Sequence, residues 1–322
     1  MCLVALAIDQ SRRFPLVLAT NRDEFFKRPA TRLEWWSPGA GLPDILGGRD
    51  LDAQGTWLGL TAQGRLALVT NVRNPGRNDP DAPSRGEIVR NWLAGDTATD
   101  RFWMRTALSG YNGFNLIAAD FQRGDCFWAS NSDAFPTRLE RGIYGLSNAS
   151  LDTPWPKVTL LKERLQEALD DSESIDALSK SLFEALADRQ PAADNELPST
   201  GVSPEWERML SSAFIRAPEQ GYGTRCSTLV ITERVNKRLI THVFERTFSV
   251  TGGMALMRRS LLKDWPPRYS QGSAIESAVQ QAVTENSESG EPVQAPPRKT
   301  RVRTLLKPEP VRRKRPAASP AP

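Results

Sequence analysis

Apolar residues form short continuous runs near the start of the chain and helically spaced sets in its middle, and the two patterns predict different elements. Two runs, 2–8 and 16–19, flank the polar stretch Asp9-Gln10-Ser11-Arg12-Arg13, as two buried strands joined by a turn would. Further strand-like stretches fall at 57–60, 66–70, 114–120, 126–129, 143–146, 228–232 and 239–244, so most of the predicted sheet lies in the first half. Between Val158 and Ala187 the period changes. Val158, Leu161, Leu165 and Ala168, then Ile175, Leu178, Leu182 and Leu186, recur at helical spacing and predict two amphipathic helices over one face of the sheet. A third helix is predicted over 204–215, with Ser203 as its N-cap and Pro204 in its first position. The fold class read from this pattern is α+β.

Composition divides the chain. Its 322 residues, 39% of them hydrophobic, suffice for a sizeable core. Beyond Trp265 the sequence turns to Pro, Ser, Gln, Glu and Arg with almost no aromatic residues, too little apolar area to order itself. This places the domain boundary near Asp264, with a folded body over 1–264 and a disordered, basic, Pro/Ser-rich tail over 265–322. Residues 266–322 carry ten Lys/Arg against five Asp/Glu, which leaves the body one unit negative within a total of +4. A broad basic face for nucleic acid is therefore not expected on the body. The run Arg312-Arg313-Lys314-Arg315 reads as a solvated charge cluster or as a contact for nucleic acid or anionic lipid. No apolar run approaches the length of a membrane span, and the opening residues lack the basic start of an export signal. Three cysteines at long spacings (Cys2, Cys126 and Cys226) fit neither a disulfide framework nor a CxxC metal site, so a cytoplasmic location is expected.

The inventory of reactive residues is narrow. His242 is the single histidine, which removes histidine triads and multi-histidine metal centres. Glycine-rich nucleotide motifs are missing too, so neither a metal nor a cofactor is expected. Attention then falls on Cys2. Once Met1 is removed, a residue there joins a thiol nucleophile to an α-amine whose ordinary pKa is about 7.7 to 8.0. Taken alone it reads first as a small buried residue opening a strand, and second as a palmitoylation site, which the apolar strand context disfavours. Its company gives it weight. Asn21-Arg22-Asp23-Glu24 follows the hairpin, bringing a guanidinium to lower the thiol pKa and a carboxylate to hold the α-ammonium group. Asn71 and Ser147-Asn148 close two further strands, where uncharged amides suit a developing oxyanion or simply cap turns, and Arg225 stands just before a late strand.

The tetrapeptide Asn21-Arg22-Asp23-Glu24 is accompanied, in order, by Gly55-Thr56-Trp57-Leu58-Gly59, Tyr111-Asn112-Gly113-Phe114-Asn115-Leu116, Tyr144-Gly145-Leu146-Ser147-Asn148-Ala149, Thr153-Pro154-Trp155 and Gly221-Tyr222-Gly223-Thr224-Arg225. With these blocks the chain resembles the NRDE, or TANGO2, family over roughly residues 1–250. That family is similar to the N-terminal-nucleophile (Ntn) hydrolases, and more narrowly to penicillin V acylases and bile salt hydrolases. The resemblance implies a four-layer αββα sandwich and, position by position, a nucleophile at Cys2. It further implies a thiol-activating Arg22, an amine-holding Asp23, Asn71 and Asn148 in the oxyanion and amine-orienting roles, and Arg225 as the late arginine. Asn21, Trp57 and Asn115 are the expected substrate contacts. In those acylases the Arg and Asp are separated, whereas Arg22 and Asp23 are adjacent. Adjacent strand residues point to opposite faces, so both face Cys2 only if the strand ends by Asn21 or bulges there.

Two functions follow. One is hydrolysis of a linear amide or ester through Cys2. The other is a non-catalytic carrier of haem or of a lipid or acyl-CoA, since the resemblance carries an association with haem trafficking and lipid metabolism. Nine tryptophans, Trp35, Trp36, Trp57 and Trp155 among them, line an apolar pocket in the second case or pack as ordinary core. Haem ligation there would fall to His242 or a cysteine. A third reading makes the basic tail the functional part, as a tether to anionic partners.

Overall fold

A computed structural model describes residues 2–132, 136–249 and 256–267. The tail from 268 onward, including the Arg312 to Arg315 run, lies outside the described residues.

The strands form two antiparallel sheets. The first contains β1 (Cys2–Ile8), β2 (Leu16–Phe25), β10 (Gly142–Leu146), β11 (Arg216–Ala217), β12 (Tyr222–Val235), β13 (Arg238–Thr247) and β14 (Leu256–Lys263), in the order β10-β1-β2-β12-β13-β14 with β11 pairing β12. The second runs in sequence order: β3 (Glu34–Trp36), β4 (Ile45–Gly47), β5 (Leu58–Thr61), β6 (Arg65–Asn71), β7 (Phe114–Asp120), β8 (Asp125–Ser130) and β9 (Thr137–Arg138). The predicted opening hairpin is β1 and β2, paired from Cys2 with Arg22 to Ile8 with Leu16.

Side-chain alternation fixes the layers. On β1 and β2 the even positions Val4, Leu6, Leu16 and Leu18 meet Leu46, Leu60, Leu68 and Ile117 of the second sheet. The odd positions Leu3, Ala5, Val17 and Ala19 meet Val158, Leu161, Leu178 and Leu182 of α3 (Pro156–Asp171) and α4 (Ile175–Leu186). On the far side, Ala67, Val69, Leu116 and Ala118 pack against Ile88, Val89, Trp92 and Phe102 of α1 (Gly86–Ala94) and α2 (Thr99–Ala107). The stacking order is helix, sheet, sheet, helix: the αββα sandwich implied by the resemblance. Both faces of each sheet are buried near the middle, which is why the strands read as apolar runs rather than as strict alternation.

Several elements differ from the sequence reading. The helices α1 and α2 were not expected; each is nine residues long, too short for a periodic signal to stand out. The third predicted helix is α5 (Pro204–Met209), with Ser203 Oγ accepting from Trp206 N as its cap, but it stops six residues early. Loop 210–215 turns away because its backbone is used elsewhere: Leu210 O and Ala213 O accept side-chain donors, and Ile215 N bonds Thr224 Oγ1. The first sheet also extends further into the second half than expected, through β14. The body continues past the boundary placed near Asp264, because Trp265 is 1% exposed and its Nε1 donates to Thr61 O at 2.9 Å. Among the described residues no helix is long and apolar enough to cross a membrane.

Candidate functional site

Cys2 is the first residue of β1, and its even parity turns the thiol toward the second sheet, where a strand end leaves the stack open. Directly across the hairpin register stands Arg22, whose other neighbour, on β12, is Cys226. The Arg22 side chain is 6% exposed, and its guanidinium lies 4.2 Å above the Trp57 ring. The carboxylates of Asp50 and Glu24 form ion pairs with it at 3.6 and 3.8 Å. Burial pushes the Cys2 thiol above its ordinary pKa. The α-amino group at the chain start and Arg22 pull it back, while Asp23 and Glu24 add to the rise. Burial likewise raises Cys226 well above the normal range.

The adjacency of Arg22 and Asp23 is resolved without the expected strand end. Strand β2 runs through both to Phe25, so the two side chains leave on opposite faces. Arg22 shares the thiol's face. Asp23 faces the helical layer and pairs in register with Thr224 of β12. Asp23 is 1% exposed and accepts from Thr224 Oγ1 at 2.7 Å. Burial raises its pKa, and the α-amino group and Lys157 lower it. The irregularity in this region is in β12, where the register shifts between Thr224 and Cys226 and leaves Arg225 as the bulged residue.

Asn71 ends β6 and lines the cleft, and its side-chain amide makes no hydrogen bond to the described residues. Asn148 is held differently: its Nδ2 donates to Asn71 O at 2.8 Å, and the one proton of Ser147 Oγ is shared between Cys2 O at 3.1 Å and Asn148 Oδ1 at 3.2 Å. Its amide therefore braces the loop that carries Asn71.

Three expected site residues are placed elsewhere. Asn21 is fully buried, with Nδ2 donating to Leu186 O and Ala213 O and Oδ1 accepting from Ser227 Oγ; strand alternation turns it to the helices, and it does not line the cleft. Asn115, also fully buried, donates to Thr70 Oγ1 and Ala149 O and accepts from Trp128 Nε1, so it locks strands instead of facing the cleft. Arg225 spends Nη1 on the carbonyls of Phe25, Phe26 and Arg28 and is not among the cleft's lining residues. Of the expected substrate contacts, Trp57 alone lines the cleft.

The cleft itself has a volume of about 340 Å³ and is walled by Cys2, Arg22, Trp57, Asn71 and, from the loop before α1, Ser84 and Arg85. Arg85 was missed from the sequence, as were three buried ionised groups behind the strand ends. Arg73 pairs with Glu207 at 2.6 Å and lies over the Trp155 ring, and Lys157 Nζ donates to Leu210 O at 2.8 Å. Lys157 carried a signal that went unused: a cation in the first turn of a helix opposes the helix dipole, and such a placement calls for a reason. Among the described residues no group of three His, Cys, Asp or Glu side chains is placed to hold a metal ion. His242 does not line the cleft; its Nδ1 is 2.7 Å from Arg259 Nη2.

A family model described as Transport and Golgi organisation 2 (TANGO2) matches residues 1–249. The mouse Transport and Golgi organization 2 homolog is 33% identical over 253 residues, 72% of this chain and 89% of the mouse protein. The human homolog is 34% identical over 255 residues with the same coverage, and the Drosophila melanogaster protein 27% over 270 residues, covering 77% of this chain and 93% of the fly protein. Among solved structures, the Caenorhabditis elegans N-acylethanolamine-hydrolyzing acid amidase ortholog aligns with a TM-score of 0.44 and 12% identity, over 71% of this chain and 92% of that one. The layer order above rests on the chain's own packing, independently of that alignment.

Proposed function

The chain belongs to the Transport and Golgi organisation 2 (TANGO2) family, and from that premise we propose that it is an N-terminal-cysteine hydrolase acting on a linear amide or ester. The observation that carries this reading is the placement of Cys2. It opens β1 at the base of a cleft, shares a face with an almost wholly buried arginine, and has the buried Asp23 carboxylate on the neighbouring position of β2.

With Met1 removed, Cys2 holds nucleophile and base together. The α-amine takes the thiol proton, and Arg22 stabilises the thiolate. Sulfur then bonds the acyl carbon, and the carbonyl oxygen becomes an oxyanion beside the free amide of Asn71. Collapse breaks the C–N or C–O bond, and the departing amine or alcohol takes the proton from the α-ammonium group, which Asp23 has held in place. Water adds to the thioester, giving its proton to the α-amine. Breaking the C–S bond releases the carboxylic acid, and the proton returns to sulfur. A cleft of about 340 Å³ with ionised walls suits a small polar acyl compound.

One observation favours the carrier instead: burial raises the Cys2 thiol, and a thiol that stays protonated binds without reacting. The ionised lining suits a lipid-derived polar headgroup in that role better than the apolar face of haem. Steady-state assays with fluorogenic linear acyl amides and esters separate the two readings. Hydrolysis that disappears in Cys2→Ala is the expected result; saturable binding with no turnover in either protein favours the carrier.

A further inference from the structure

The Cys2 cleft shares a wall with a second cavity of about 600 Å³, and Asn78, Asp79, Arg85 and Asn112 line both. That wall is tied across its loops: Asn112 Nδ2 donates to Asp79 O at 2.7 Å, and Asp79 N donates to Asn112 Oδ1 at 2.8 Å. Arg85 is fastened to the same wall, since its Nε donates at 3.0 Å to the carbonyl of Gly113, the residue after Asn112. A bond at Nε leaves the donors of both terminal nitrogens unspent. They make no hydrogen bond to the described residues, and, unlike Nε and Nη2 of Arg73, they are not sealed from solvent.

Charge sets Arg85 apart from the other two arginines of the cleft. Arg22 lies 3.6 and 3.8 Å from Asp50 and Glu24, and Arg28 lies 2.6 Å from Asp50, whereas Arg85 has no ion pair among the described residues. A half-buried guanidinium without a counter-ion carries a cost: burial lowers its pKa, the Glu24 carboxylate opposes that, and Arg28 adds to it. We infer that Arg85 is a specificity-determining residue of this cleft and receives a carboxylate carried by the amide or ester whose acyl carbon meets Cys2. The planar fork of a guanidinium matches the two oxygens of a carboxylate. One unpaired guanidinium also balances one negative charge. A phosphate monoester carries close to two at neutral pH, and the excess would stand against Asp79 in the same wall, so a carboxylate is the better match. The second cavity gives room for what the substrate carries beyond Arg85.

That the carboxylate belongs to a substrate rests on the hydrolase reading; recognition of the charge is tested without turnover. In the full chain carrying Cys2→Ala, calorimetry measures the binding of glutaric acid monoanilide, charged on the acyl side, and of N-pentanoylglycine, charged on the amine side. Each is compared with the neutral primary amide of its carboxyl group, and N-pentanoylphosphoethanolamine supplies the phosphate arm. At least one carboxylate is expected to bind about tenfold or more tighter than its neutral amide, the gain of a charge-assisted pair, and tighter than the phosphate. Adding Arg85→Gln should weaken the charged ligand alone and erase the difference, and Arg85→Lys should keep part of it. Failure of both carboxylates to bind, equal binding of charged and neutral forms, a preference undiminished in Arg85→Gln, or tighter binding of the phosphate overturns the assignment. If Arg85→Gln weakens the neutral amides as well, Arg85→Lys decides: a preference kept there upholds the role of the charge, and one lost there overturns it. A preference that depends on Arg85, in a chain whose wild type hydrolyses neither amide, upholds the carboxylate site while the hydrolase reading fails. Turnover through Cys2 that is indifferent to the charge gives the reverse.

Discussion

Two asparagines that read alike in the sequence have different work. The Asn71 side-chain amide makes no hydrogen bond to the described residues and lines the cleft, whereas Asn148 Nδ2 donates to Asn71 O and its Oδ1 accepts from Ser147 Oγ. Removing an oxyanion donor costs about 10²- to 10³-fold in kcat, so Asn71→Ala should lose that much turnover at nearly unchanged melting temperature. Asn148→Ala should destabilise the fold by about 1 to 3 kcal/mol, the cost of leaving buried groups unsatisfied, as read by chemical denaturation. Equal effects of both substitutions on stability would contradict this division. The sequence made Cys2, Arg22, Asp23 and Asn71 legible because they stand in short order beside strand ends. It misled at Asn21 and Asn115, since a buried amide that ties strands together and one that binds substrate carry the same letter, and the parity that separates them becomes visible only once the register is known. Lys157, Arg85 and the Arg73–Glu207 pair were hidden for a further reason: tertiary approach makes them neighbours of the site, and no local pattern marks them.

At the scale of elements, the opening hairpin was legible because its runs are long and uninterrupted, and α3 and α4 because each keeps its period over several turns. The helices α1 and α2 were not, although α1 carries one wall of the cleft. Its position depends on a backbone approach that tolerates no side chain. A Cβ on Gly55 would fall 2.4 Å from the carbonyl carbon of Gly86, and Thr56 N bonds Gly86 O at 3.2 Å. Gly55→Ala must therefore push the start of α1 away from Thr56 and Trp57. We expect a loss of stability of about 2 kcal/mol or more, within the range for overpacked sites, together with weakened substrate binding because Arg85 and Ser84 move with the helix. An unchanged denaturation midpoint would show that the approach has slack.

At the scale of the molecule, a buried ammonium group is a stability cost with a definite pH signature. The folded Lys157 has a pKa of about 8 against 10.5 in an unfolded chain, so between these values the unfolded state binds more protons and stability rises with pH. Below about pH 8 both states hold the proton and the full cost is present. Lys157→Met should consequently melt above the wild type at pH 7, and the gap should close as pH rises from about 8 toward 10.5; a variant that melts lower at pH 7 would mean that the lysine supports the fold. The segment from 268 onward should matter to neither property. A chain ending at Pro267 is expected to match the full chain in melting temperature and in Cys2 reactivity, and loss of that reactivity would place the function in the tail. The central claim is that Cys2 becomes the first residue and carries the acyl group, and intact mass tests it most directly. The purified protein is weighed before and after exposure to a thiol-reactive acylating reagent, with Cys2→Ala beside it. The expected result is a chain lacking Met1 that gains one acyl group, mapped to Cys2, released by hydroxylamine and missing in the variant. A chain that retains Met1, or that is labelled at Cys126 or Cys226 alone, would contradict it.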